Sequence, residues 1–418
     1  MAKELKEVEE IFSHISNGNN FLLSGGAGSG KTYSLVEVLN KIFELKPTAR
    51  VACITYTNVA VKQINERIKY ENLRVSTIHD FLWDNVKLFQ KNLKEAIVSL
   101  IKEEKIKDSS GEITDVSYFN RLNIEYREWV KVKEGTISHD EVIDISEYMF
   151  AHHPILSDIL KDKYDYILID EYQDTSTEVI SILLGFLQNS AKKNIIGFLG
   201  DSMQSIYPDT VGNIQKFVDS GLVKEIIKKD NRRNPKVVID LANQLRTDNV
   251  KQEPAEDENA PNYKVTGSIK FLYSSSLNID SIKNTEYFNG WDFKNPKFTK
   301  ELYLTHNLIA PKAGFPEIMQ IYDKDRIVEF KNNILQHIRD NNINVPPNST
   351  FGDVISIANV LPTGVKAVFI AENNELYEEA KLYPFEVFRK IYLDKDQLIG
   401  SKKGTEEEER KRGQKEMI

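Results

Sequence analysis

The sequence has almost no cysteine, no long apolar run and no excess of basic charge. Cys53 is the one cysteine in 418 residues, which excludes a disulfide framework and any cysteine-based zinc site. No apolar run reaches the ~18 residues that a membrane-spanning helix needs. The first residues, MAKELKEVEEIF, alternate charge with apolar side chains and contain no signal-peptide core. With 55 Lys+Arg against 63 Asp+Glu the net charge is −8. That balance argues against a generally basic coat for nucleic acid, while leaving room for a local basic cleft. Internal repeats and low-complexity tracts are absent. What is there is ordinary for a soluble globular chain: 40% hydrophobic and 28% charged residues. At ~100–200 residues per domain, the length allows two to four domains. A cytoplasmic enzyme is the default expectation.

The first 80 residues alternate strand and helix patterns. Phe21-Leu22-Leu23 is a short apolar run entering a glycine-rich turn. A helix is predicted from Thr32 to about Leu45, with Leu35, Val38, Leu39 and Ile42 on one face and Pro47 just beyond its end. Val51–Ile54 and Leu73–Val75 read as further strands, with a helix over Val59–Ile68 between them. This alternation predicts an α/β fold with a parallel sheet. From about Ile78 to Lys163 the pattern becomes amphipathic helices broken by polar turns, too long for a loop and therefore an inserted subdomain. The sheet resumes with Tyr166–Ile169, a helix around Thr177–Leu187, Ile195–Leu199 and Leu222–Ile227. A helix follows over Pro235–Leu245, and Asp248–Tyr263 reads as a solvated connector. The expected domains are 1–77 and 164–228 for one motor domain, 78–163 for the insertion and 229–418 for a partial second motor domain. The charge-rich stretch Thr405–Met417 has no apolar face, so the chain is expected to stop within an element.

Two motifs carry chemistry. Gly25-Gly26-Ala27-Gly28-Ser29-Gly30-Lys31-Thr32 fits G-x-x-x-x-G-K-[ST], follows a strand and opens a helix. Glycines let the backbone wrap a phosphate with N–H groups pointing inward, and the helix N-terminus adds positive potential. Lys31 is expected on the β/γ-phosphates, the Thr32 hydroxyl on Mg²⁺, and Tyr33 beside the nucleotide. Tyr166–Ile169 then runs into Asp170-Glu171. Asp170 at the strand end suits Mg²⁺, and Glu171 suits orienting and deprotonating an attacking water.

Asp170-Glu171-Tyr172-Gln173-Asp174-Thr175-Ser176 resembles the second motif of UvrD/Rep-type superfamily 1 helicases, and the resemblance continues in order. Ile54–Ala60 is similar to the motif after the phosphate loop, and Val75–Phe81 to the next. Leu199–Tyr207 resembles the third motif and Asp230-Asn231-Arg232-Arg233-Asn234 the fourth. The resemblance implies a RecA-like P-loop NTPase with a helical insertion and a second RecA-like domain. It implies that Gln204 contacts the γ-phosphate and that Arg233 is an arginine finger. It places Thr57, Asn58 and His79 on single-stranded DNA and Tyr207 near its bases.

The sequence also departs from the family. Met1–Ser24 lacks the upstream Gln that reads adenine, and Arg232 stands where an aromatic stacks on the base, a place its planar guanidinium can fill. Tyr207 is followed by Pro208 and Asp209 rather than a Trp, and Val59 replaces a common Lys. The fifth and sixth motifs are not found between Lys264 and Ile418, although Leu302–Asn307 resembles a strand of the second motor domain. The chain is therefore expected to be the N-terminal portion of a longer helicase. Two functions follow from the resemblance. One is a Mg²⁺-ATP-driven translocase on single-stranded or partly duplex DNA, moving 3′ to 5′. The other is a non-unwinding, DNA-sensing ATPase switch that gates a partner nuclease, as in an antiphage defence pair. No membrane is involved in either. A plain nucleotide kinase has no use for Asp170–Thr175 or the Gln204 motif.

A base-reading hydrogen-bond site discriminates strongly, whereas stacking tolerates any base. With the upstream Gln absent and Arg232 replacing the aromatic, ATP and GTP should compete within about a hundredfold, or ~2.7 kcal/mol. Competition binding with the four triphosphates checks this, and a steeper preference for ATP contradicts it.

Overall fold

Five-residue apolar runs separated by amphipathic helices bury both of their faces when they pair in parallel and helices cover each side. In the computed structural model, described for residues 5–106, 113–127, 131–205, 214–248, 250–273, 279–295, 297–303 and short stretches between 309 and 385, the chain divides into two units. These are residues 1–273 and 274–418.

The first unit begins with α1 (Lys6–Ser16), β1 (Asn20–Ser24), α2 (Lys31–Leu45), β2 (Val51–Thr55), α3 (Asn58–Arg67) and β3 (Leu73–Thr77). Next come α4 (Ile78–Val86), α5 (Gln90–Lys102), the two-residue strands β4 (Glu125–Tyr126) and β5 (Thr136–Ile137), α6 (His139–His152) and α7 (Ile155–Lys163). The sheet resumes with β6 (Tyr166–Asp170), α8 (Thr177–Ile180), β7 (Ile195–Gly200), α9 (Ile214–Asp219) and β8 (Val223–Ile227). A short pair of strands, β9 (Asp230–Asn231) and β10 (Glu253–Pro254), brackets α10 (Lys236–Leu245).

The main sheet has the order β3-β2-β6-β7-β1-β8. All of its pairings are parallel. The parallel sheet is what the spacing predicts, and it fits the P-loop RecA-like fold that the resemblance implies. Side chains alternate across it. Phe21 and Leu23 face α1 and α2, packing with Ile11, Leu35, Leu39 and Ile42. Leu22, Ile167 and Phe198 face the opposite layer with Leu82, Ile97, Ile145 and Leu183. The helix α2 takes its place because Leu35, Val38, Leu39 and Ile42 recur at helical spacing and are all buried. The segment between β3 and β6 is mainly helical, and α6 opens with a capping box in which the Ser138 N–H donates to Glu141 Oε2 at 3.0 Å.

Two stretches differ from the sequence reading. The single helix expected over Thr177–Leu187 is α8 followed by a π-turn (Ser181–Gly185) and a 3-10 turn (Phe186–Asn189). Ser181 Oγ donates back to the Thr177 carbonyl at 2.9 Å, a bond that competes with the regular ladder and bends it. The stretch Asp248–Tyr263 is not a solvated connector: Val250, Gln252, Ala255, Ala260 and Asn262 are buried. Amides drive that burial. Asn262 Nδ2 donates to the carbonyls of Asn231 (2.7 Å) and Asn234 (2.8 Å), and Gln252 Oε1 accepts from Asn231 Nδ2 at 3.0 Å.

In the second unit the described helices are α11 (Ile279–Lys283), α12 (Phe351–Ala358) and α13 (Asn374–Lys381). Phe351, Val354 and Ile355 pack with Ile334 and Phe385 in a small core. Most of Leu302–Asn307, and all of Thr405–Met417, lies outside the described residues. Among the described residues no helix is long and apolar enough to cross a membrane.

Phe198 is fully buried in the central strand β7. Phe198→Ala should lower unfolding stability by ~3–5 kcal/mol, the usual cost of such a cavity. Urea denaturation reads this directly, and an unchanged midpoint contradicts the packing described.

Candidate functional site: a phosphate-loop edge of the sheet

All six strands end on one side of the sheet, so the loops that leave β1, β6 and β7, which are neighbours, meet there. The loop after β1 spans Gly25–Gly30. Gly28 has φ of 91°, a backbone that side-chain-bearing residues rarely adopt. Gly30 caps α2 without a side chain, and the first turn of α2 holds no acid, which leaves its N–H groups unneutralised. The loop's outer side is fastened by the segment after β8. Asn231 Nδ2 and Asn234 Nδ2 donate to the Ala27 carbonyl at 2.8 and 2.9 Å, and the Arg232 N–H donates to the Gly28 carbonyl at 3.0 Å. In a planar trans peptide the N–H opposes the C=O. The N–H groups of Gly28 and Ser29 therefore point away from that segment, and the Ser29 N–H donates to the Gly26 carbonyl at 3.2 Å. Lys31 is buried, with Nζ donating to the Gly25 carbonyl at 2.9 Å. Ser29 Oγ is buried with no partner.

Asp170 and Glu171 stand opposite, at the end of β6. Asp170 Oδ2 accepts from Thr32 Oγ1 at 3.4 Å, and Oδ1 accepts the Glu171 N–H at 3.1 Å. Burial first, and the adjacent Glu171 second, raise the Asp170 carboxyl to about 6, against the opposing pull of Lys31. A hard cation relieves that penalty. Thr32 and Asp170 offer the oxygen donors Mg²⁺ prefers, and Mg²⁺ usually keeps several waters beyond one or two protein ligands. Among the described residues there is no cluster of three or more His, Cys, Asp or Glu side chains that could hold a metal ion. Glu171 is held in the left-handed region, φ 52° and ψ 49°, at a cost of ~1–3 kcal/mol that is concentrated at functional sites. Gln173 fixes its carboxylate: Nε2 donates to Glu171 Oε2 at 2.8 Å, while Oε1 accepts the Asp201 N–H at 3.0 Å.

Beyond β7, Gln204 Nε2 donates to Asp201 Oδ2 at 2.7 Å. Asp201 is buried and also receives Arg246, Nη2 to Oδ1 at 2.7 Å and Nη1 to Oδ2 at 3.1 Å. Arg233 is exposed, its Cβ 3.0 Å from where a Cβ on Gly28 would sit. Arg232 is half-buried and paired with Asp257, and Tyr33 is 55% exposed in the first turn of α2. The structure thus brings Gly25–Thr32, Asp170, Glu171, Gln204, Arg232 and Arg233 to one place.

Thr57, Asn58 and His79 lie further along the same edge, after β2 and β3. Thr57 caps α3, its Oγ1 accepting the Ala60 N–H at 3.2 Å, and both Thr57 and Asn58 are exposed. His79 is half-buried, edge-on to His139 at 4.5 Å. Burial and His139 depress its pKa to about 4, so at neutral pH it carries no charge. Tyr207 lies outside the described residues. Gln173, Asp201, Asn231 and Asn234 lie inside the motifs, which assign them no role. Arg246 and Gln252 follow the last motif and carry no local signal in the sequence.

The fold and site define a nucleotide-binding P-loop domain. A family model described as an AAA domain matches residues 8–210. The Gabija protein GajB of Bacillus cereus (strain HuB5-5) is 28% identical over 77% of this chain and 60% of its own length. The ATP-dependent DNA helicase PcrA of Bacillus subtilis (strain 168) is 23% identical over 56% of this chain and 38% of its own. A crystal structure of Pif1 helicase from Candida albicans aligns at 14% identity over 48% of this chain and 33% of that one, with a TM-score of 0.25, too low to bear on the fold. In its ordered motifs the chain resembles UvrD/Rep-type superfamily 1 helicases, and these relatives support that likeness. The chain spans 60% and 38% of the lengths of the two curated relatives.

A Cβ on Gly200 would lie 2.3 Å from Gln173 Oε1 and 2.5 Å from the Tyr172 ring. Gly200→Ala should therefore cost ~1–3 kcal/mol through overpacking. Chemical denaturation that shows wild-type stability would contradict this contact.

Proposed function

We propose that this chain is the nucleotide-hydrolysing part of a DNA translocase that couples Mg²⁺-ATP hydrolysis to 3′-to-5′ movement on single-stranded DNA. The observation that carries this reading is the convergence of Gly25–Thr32, Asp170–Glu171 and Gln204 on one sheet edge, with Arg233 beside Gly28. The loop N–H groups and Lys31 bind and orient the triphosphate, and Tyr33 and Arg232 flank its base. Thr32 and Asp170 would hold Mg²⁺, which would supply positive charge to the phosphates. Glu171, its carboxylate fixed by Gln173, orients the attacking water and takes its proton. Gln204 contacts the γ-phosphate, and Arg233 stabilises the charge that spreads over the transferred phosphoryl group. Thr57, Asn58, His79 and Tyr207 form the strand contacts. Residues 229–418 begin a second motor domain, and the protein works in the cytoplasm.

A second reading is a DNA-sensing ATPase switch that regulates a partner nuclease in antiphage defence. It is favoured by the match to the Gabija protein GajB, which runs over more of this chain than the match to PcrA does. Both readings use the same hydrolytic residues. Strand displacement, measured beside DNA-stimulated hydrolysis, separates them.

Lys31→Ala should abolish detectable nucleotide binding. Glu171→Gln should keep nucleotide affinity and slow turnover by ~10²–10⁴, the usual worth of a general base. Equilibrium binding and single-turnover hydrolysis read the two effects separately. Turnover of Glu171→Gln at the wild-type rate contradicts the assignment of the base.

A further inference from the structure

We propose that Arg246 is a positioning residue for hydrolysis: by clamping Asp201 it sets Gln204 and, through Gln173, Glu171. The inference rests on the hydrolytic reading above. Arg246 is the first residue after α10, and its side chain is 8% exposed, with the guanidinium between Asp201 and Asp248. Both of its Nη atoms reach Asp201, a two-point grip that fixes the carboxylate in plane as well as in place. The clamped carboxylate receives Gln204 Nε2 on Oδ2. The Asp201 backbone N–H meets Gln173 Oε1, and Gln173 Nε2 meets Glu171 Oε2. An unbroken hydrogen-bonded chain therefore runs from Arg246 to both groups assigned to the γ-phosphate end.

Two further contacts argue against a purely structural ion pair. Arg246 Nη1 lies 3.2 Å from where a Cβ on Gly26 would sit, so the same guanidinium borders the phosphate loop. In addition, α10 lies between the two arginines: Arg233 stands three positions before its first residue and Arg246 directly follows its last. Asp248 completes the arrangement, accepting from Arg246 Nε at 2.8 Å and from Ser202 Oγ at 3.2 Å, so the turn holding Gln204 is gripped from both sides.

The test uses the full chain with Arg246→Ala, Arg246→Lys, Gln204→Ala and the Arg246→Ala/Gln204→Ala double variant. Affinities for Mg²⁺-ADP and for Mg²⁺-ADP with aluminium fluoride, a mimic of the transferring phosphoryl group, are measured side by side. Arg246→Ala should keep ADP affinity within about threefold and lose about ten- to hundredfold of the preference for the fluoride complex, the range for a charged hydrogen bond. Arg246→Lys should recover part of it. The double variant should lose less than the product of the two single losses, because both variants act through one carboxylate. Wild-type preference in Arg246→Ala, equal loss of ADP affinity, or losses that multiply in the double variant would each overturn the proposal. If Arg246→Ala does not fold, Arg246→Lys decides: a reduced preference supports the proposal and an unchanged one overturns it. No preference for the fluoride complex in the unaltered chain overturns the hydrolytic reading itself, and this inference with it.

Discussion

Parallel pairing is the constraint on which the rest of the structure depends. Because every strand of the main sheet runs the same way, all of the loops that follow the strands share one edge, and the order β3-β2-β6-β7-β1-β8 sorts them. The phosphate loop, the carboxylate pair and the Gln204 turn leave neighbouring strands, β1, β6 and β7. Thr57 and His79 leave β2 and β3 on the far side of β6. Nucleotide chemistry and candidate strand contacts are thereby separated by sheet order, and β6, which ends in Asp170, lies between them.

Buried charge gives that edge its precision. A buried carboxylate is tolerated only when it is paired and hydrogen-bonded. Asp201 meets that condition with Arg246 and Gln204, whose hydrogen bonds lower its pKa against the opposing effect of burial. Asp170 has weaker support, from Thr32, the Glu171 N–H and the charge of Lys31, and burial and Glu171 keep its pKa raised. The two aspartates stand at the ends of adjacent parallel strands, one a buried structural hub and the other the candidate cation ligand.

Much of this was legible in the sequence. Apolar runs such as Phe21–Leu23 and Tyr166–Ile169 set the strands, and Leu35, Val38, Leu39 and Ile42 set the face of α2, because burial on a sheet or a helix stripe leaves a periodic trace. Gly25–Thr32 carries its mechanism in local backbone geometry and could be read without any partner. The amide network could not. Gln252 and Asn262 sit in a stretch rich in acids and prolines that reads as solvated, and their burial depends on Asn231, 21 and 31 residues away along the chain. Arg246 is silent for the same reason: a lone arginine after a helix looks like a solvated end until Asp201 is placed beside it. Periodicity records which faces are buried. It does not record which polar groups are buried together.

If the edge formed by Gly25–Thr32 and Asp170 is a Mg²⁺-dependent triphosphate site, calorimetric titration of the chain with ATP, with Mg²⁺ present and then chelated, should show it. One nucleotide per chain is expected, with clearly weaker binding once Mg²⁺ is removed. Binding that is indifferent to Mg²⁺, or no binding in its presence, would contradict that assignment.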